Sequence, residues 1–239
     1  MARGRGARAR LAHPRYGRRG EARLPGVCAT LVAITLYLGL PERLLIAPRY
    51  VLPGLELLLL LPLVAVNPKR LTRQTRTSRA LSLALVGLIA AGNLIALGTL
   101  VVDLVSSGVK DGRSLLVAAF QVWLTNIIVF GLAYWELDRG GPVSRTQLPR
   151  GELPLADFRF SQDENDDAVQ EVSEGSSKQA DWVPSLMDYL YVSVTNSTAF
   201  SPTDTMPLST RAKFLMSIES VAALVTSLLV IARAVSVLH

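Results

Sequence analysis

The chain has 239 residues, half of them apolar, and a formal charge of +6; its apolar residues come in long unbroken runs separated by charged stretches. At ~1.5 Å per residue such runs match a hydrocarbon layer ~30 Å thick, which excludes an ordinary soluble domain and predicts an all-α, polytopic transmembrane helical bundle of five or six membrane segments. One cysteine, Cys28, excludes an intrachain disulfide, and two histidines, His13 and His239, both near a terminus, leave no metal-ligand cluster and point to no cofactor.

Residues 1–23 carry eight arginines against one acid and read as a basic cytoplasmic tail. Basic stretches beside apolar spans act mainly in orientation, because arginine and lysine stay on the cytoplasmic side during insertion. The expected partners are the lipid bilayer and anionic lipid at this N-terminus, not nucleic acid. No A-x-A cleavage pattern follows the first apolar run, so an uncleaved span is expected.

Residues 24–137 are expected to hold four transmembrane helices, at about 24–40, 50–66, 80–105 and 114–136. Glu56 sits near the start of the second and is placed at the interface. Five basic residues and no acid lie between 68 and 79, which puts this connector on the same side as the N-terminus. Asn93, Gln121 and Asn126 lie inside the third and fourth runs. Polar groups at that depth either bridge helices or line a pathway. Tyr134 and Trp135 are placed at the interface.

Residues 138–182 read as a polar acidic loop, partly disordered, since 161–181 has seven acids and one lysine. Residues 183–239 then hold a polar segment at about 184–200, a turn, and a last span at about 212–237, capped by Ser209 or Thr210. If the polar segment crosses fully there are six spans; if it is re-entrant there are five and the C-terminus lies opposite the N-terminus.

The polar stretch "TNSTAFSPTDTMPLS" (195–209) is either a capped, solvent-facing turn or a polar vestibule inside the bundle. Thr195, Asn196, Ser197, Thr198 and Asp204, with Glu219 two turns into the last span, form the candidate polar site. Arg233 is ~21 Å further along a helix, too far to pair with Glu219, and is placed at the cytoplasmic interface. Glu136, Asp138 and Arg139 in "WELDRGG" form either a salt-bridged helix end stopped by Gly140 or a contact to the 195–209 turn. No nucleophile–base pair or phosphate loop is visible, so an enzyme is not expected.

The stretch "DYLYVSVTNSTAFSPTDTMPLSTRAKFLMSIES" resembles the pore helix, filter and inner helix of two-span potassium-channel domains. That resemblance places Thr198 where a filter threonine stands, although "AFSP" replaces the glycines that a filter requires. "YWELDRGGP", "DYLY" and "TAFSPTDTMPL" together resemble a family of uncharacterised integral membrane proteins of high-GC Gram-positive bacteria. That likeness implies a multi-pass protein of the bacterial plasma membrane with a cytoplasmic N-terminus, and no mechanism. Two functional readings stand: a pore-like site for an ion or small solute, and a non-catalytic scaffold whose polar turn binds a partner or a second copy in a homo-oligomer.

Overall fold

The computed structural model describes residues 19–106, 112–198 and 204–237. Eight helices appear among them: α1 Leu24–Leu38, α2 Val51–Val66, α3 Arg76–Ser106, α4 Gly112–Leu137, α5 Pro142–Gln147, α6 Gln170–Ser173, α7 Leu186–Thr198 and α8 Thr210–Val237. Two short strands, β1 Phe158–Phe160 and β2 Thr205–Pro207, pair antiparallel with Arg159 opposite Met206. The fold is therefore mostly helical. Three stretches are long and apolar enough to cross a membrane: Arg76–Leu104, Arg113–Gly140 and Thr210–Ile231. α1 and α2 are apolar but shorter, about 22–24 Å at 1.5 Å per residue.

The boundaries follow local chemistry. Ser209 accepts the Ala212 N–H at 3.1 Å and starts α8, while Asp188 accepts from the backbone of Ser185 at 2.8 Å and fixes the first turn of α7. α4 stops because Gly140 and Gly141 take positive φ, 77° and 94°, where only glycine sits without strain. α3 begins four residues earlier than its apolar run, because Thr75 and Ser78 exchange hydrogen bonds around its first turn.

One end of the bundle is capped. Residues 20–23 run beside 69–71, with Leu71 N–H donating to Glu21 O at 2.9 Å and Arg23 N–H to Lys69 O at 3.1 Å. α1 and α3 begin at this end, and α2 and α4 finish there. α7 begins there too, since Leu186 N–H donates to Glu21 Oε1 at 2.7 Å. So does α8, since Arg211 reaches the Leu137 carbonyl at 3.2 Å. α7 and α8 consequently run parallel, and the chain is back at the capped end by Thr205. With 13 residues, α7 extends about 20 Å, less than a bilayer's depth.

Residues 138–182, expected from their acidity to be partly disordered, make specific contacts with the helix ends. The composition rule weighs charge, whereas this segment is anchored by Phe158, Phe160 and Trp182. Phe158 and Phe160 are buried against Tyr189, with ring centroids 6.2 and 5.4 Å away, and Trp182 stacks edge-on to Phe160 at 5.6 Å. Burying each phenylalanine contributes about 1.5–3 kcal/mol. Tyr134 and Trp135 pack into the core at the capped end of α4: both are buried, and Trp135 Nε1 donates to Glu21 at 2.9 Å.

Candidate functional site

The buried polar groups fall into two clusters. The first surrounds Glu219, whose side chain is fully enclosed. Its Oε2 accepts from the Tyr134 hydroxyl at 2.5 Å and from Asn196 Nδ2 at 2.6 Å. Its Oε1 accepts from the Ser193 hydroxyl and, at 3.1 Å, from the Ser197 hydroxyl. A carboxylate offers about four lone-pair positions, so this one is filled, by donors from α4 and α7 alone. No lysine or arginine among the described residues pairs with it.

The spacing explains the convergence. Ser193, Asn196 and Ser197 lie at i, i+3 and i+4, one face of α7, and that face meets α8 at Met216–Ser220. Asn196 also donates to the Met216 carbonyl at 3.0 Å and accepts from the Ser220 hydroxyl at 3.0 Å. The single Ser193 hydroxyl proton is shared between Glu219 and the Ile127 carbonyl, 2.8 Å away, and Asn126 Nδ2 donates to the Glu219 carbonyl at 3.3 Å, tying α4 to both. Gly131 permits the close approach: a Cβ there would lie 3.2 Å from the Leu190 Cα.

Of the residues singled out from sequence, Asn196, Ser197 and Glu219 come together. Thr195 and Thr198 do not: their hydroxyls bond back to the Tyr191 and Val194 carbonyls of their own helix, and Thr198 is exposed. Asp204 is exposed as well and accepts from the Tyr191 hydroxyl at 3.0 Å. Residues 199–203 of the polar stretch lie outside the described residues. Ser193 and Tyr134 were missed by sequence reasoning. The i−4 and i−3 spacing of Ser193 to Ser197 and Asn196 was the available signal; nothing local marks Tyr134.

Three other expectations change. Glu56 does not reach the interface but is buried, and its Oε2 has no partner among the described residues. Asn93 is buried with its Nδ2 unpartnered, and Gln121 Oε1 is unpartnered too; Asn126 bridges two helices through the Glu219 carbonyl. The side chain of Arg233 and both histidines lie outside the described residues.

The second cluster closes the capped end. Asp138 is fully buried; its Oδ1 accepts from the Asp157 N–H at 2.6 Å and its Oδ2 from the Tyr189 hydroxyl at 2.5 Å and Arg139 at 3.2 Å. Arg139 continues to Asp163 at 2.8 Å. Asp157 is held by Arg211 through paired contacts of 2.7 and 2.5 Å and by the Ser209 hydroxyl at 2.5 Å. Arg145 is buried, donates to the Trp135 and Asp138 carbonyls at 2.6 and 2.9 Å, and lies 4.8 Å over the Tyr189 ring. Glu136 takes Arg79 at 3.3 Å and Ser82 at 2.6 Å. The "WELDRGG" helix end is thus salt-bridged, and through Asp157 it reaches the start of α8 as well.

Among the described residues no group of three or more His, Cys, Asp or Glu side chains could hold a metal ion. An open cleft of about 660 Å³ lies beside α7, between Glu164, Asp188, Asp204, Tyr191, Met187 and Met206. The chain matches no protein-family model, no curated protein and no solved structure.

Proposed function

We propose that this chain is a multi-pass integral membrane protein that acts by binding, as a scaffold for another membrane component, and not by passing a solute through its own helices. The observation that carries the reading is the filled coordination of Glu219. A carboxylate that relays an ion or proton needs access to water, and this one is fully enclosed, with both oxygens holding α4 and α7 to α8. The cleft beside α7 supports the binding half of the reading: Asp188 and Asp204, with Glu164 already paired to Arg159, lie next to exposed Met187, Tyr191 and Met206 and complement a basic, partly apolar segment of a partner. Placing the capped end in the cytoplasm agrees with its excess of arginine and gives five crossings with α7 re-entrant, in a bacterial plasma membrane.

The test is ion and small-solute flux in proteoliposomes, comparing wild type with Glu219→Gln. Flux no greater than that of empty vesicles is expected from both. A wild-type flux abolished by Glu219→Gln at unchanged folding would overturn the reading.

A second reading, in line with the likeness to potassium-channel domains, is a pore between copies of the chain. It is favoured by exposed Thr198 and half-buried Thr195 at the far end of a helix that is too short to cross a bilayer. That reading requires flux that Thr198→Val removes and Glu219→Gln spares, together with a homo-oligomer in detergent.

A further inference from the structure

We infer that the cleft framed by the starts of α1 and α3 and the ends of α2 and α4 binds a phosphate-class oxyanion, supplied by the headgroup of an anionic lipid. Its wall carries Arg23, Arg73 and Arg79 against one carboxylate, Glu136, with Asn67 and Gln74 between them. Glu136 is already engaged by Arg79 and Ser82, so it is the one carboxylate shared by Arg79 and Arg23, and Arg73 has no ion pair among the described residues.

Arg23 is the telling one. It is 8% exposed, lines both this cleft and the apolar crevice beneath it, and its Nε is buried with no hydrogen-bond partner among the described residues. Among the described residues its hydrogen bonds are those of its backbone, the N–H to Lys69 and the carbonyl from Val27. A buried cation without a partner is costly, and burial pushes the Arg23 guanidinium below its ordinary range, with Glu136 opposing only in part. An oxyanion supplies what is missing, since guanidinium and phosphate match in charge and geometry.

Size and position select the class. A water-sized sphere can be centred within about 30 Å³ of the cleft, against ~10–15 Å³ needed for one water; that admits a compact oxyanion such as a phosphate group. The crevice beneath is walled by the buried core residues Leu60, Leu63, Leu85 and Leu132, so the charged rim closes the end of the bundle, which is headgroup level if, as proposed above, these helices cross a membrane. Basic pockets between membrane helices on the cytoplasmic side take anionic headgroups.

The experiment measures the thermal midpoint of the full chain in uncharged detergent with added phosphatidylglycerol, phosphatidylcholine or inorganic phosphate. Phosphatidylglycerol should raise the midpoint and phosphatidylcholine should not. The apparent affinity should fall about tenfold in Arg23→Gln, as for loss of a charge-assisted hydrogen bond, and by a smaller factor in Arg73→Gln. Arg73 is exposed at the mouth of the cleft, so its variant keeps the test valid where Arg23→Gln fails to fold. An equal, variant-sensitive shift with inorganic phosphate would assign the site to a free oxyanion. No shift with either anion, or a lipid effect undiminished in both variants, would overturn the inference and leave only general attraction to the basic chain.

Discussion

Two buried carboxylates, Glu219 in the bundle interior and Asp138 at the capped end, are satisfied in opposite ways. Glu219 is ringed by neutral donors, two serines, an asparagine and a tyrosine. Asp138 joins a chain of charges that runs through Arg139 to Asp163, with backbone N–H groups and the Tyr189 hydroxyl completing its shell. The difference follows from the surroundings. Between lipid-facing helices there is no hydrophobic drive to associate, so side-chain hydrogen bonds and close packing must hold a short element such as α7 in place. At the end of the bundle, residues 138–182 bury aromatic rings against the helix ends, and the ion pairs fix the register of that cap.

The largest expected effect is therefore at the cap. Asp138→Ala strips partners from Arg139, Tyr189 and the Asp157 N–H at once, and should cost about 3–5 kcal/mol, as for breaking a buried pair. Chemical unfolding in detergent measures it; a loss below that of the Glu219 variants would reverse the comparison. Glu219→Gln ranks next. The amide retains one acceptor oxygen but turns an NH2 towards two donors, at about 1–3 kcal/mol for the groups left unsatisfied. Tyr134→Phe removes a single interhelical bond and should cost about 0.6 kcal/mol. A double-mutant cycle of these two sharpens the point, because residues sharing one carboxylate couple measurably. Asp204→Asn should stay within about 0.5 kcal/mol, since exposed positions of this kind rarely matter more.

The sequence made the helices legible because apolar runs of this length have few other uses; every expected span has its helix, with ends shifted by a few residues. It also made Glu219 legible, as a carboxylate far inside an apolar run. What it hid was long-range. Tyr134 is 85 residues from Glu219, and a tyrosine at the end of a span looks interfacial until the neighbouring helices are placed. The cap was hidden because seven acids outweigh three scattered aromatics in any composition window, although the aromatics decide the packing. Thr195 and Thr198 stood out as polar, yet their hydroxyls only fold back onto α7, which no spacing rule separates from Ser197.

The smallest effect sharpens the comparison through pH. Glu21 joins residues 20–23 to the cap, accepting from Trp135 and from the Leu186 N–H and facing Arg145 at 3.8 Å. Burial pushes its carboxyl above the usual 4.5, and Arg145, Trp135 and the Leu186 N–H oppose the rise without cancelling it. The folded chain thus holds this proton more tightly than the unfolded one. The resulting contribution is fully present below the ordinary carboxylate value and is lost as pH rises through the raised one. Lowering the pH from neutral should accordingly stabilise wild type relative to Glu21→Gln, the reverse of a salt-bridged carboxylate whose value is depressed. Unfolding midpoints of the two proteins across that range give the slope. A difference that stays flat, or that widens against wild type as pH falls, would mean that Arg145 governs Glu21 more than burial does, and that the cap is electrostatic throughout.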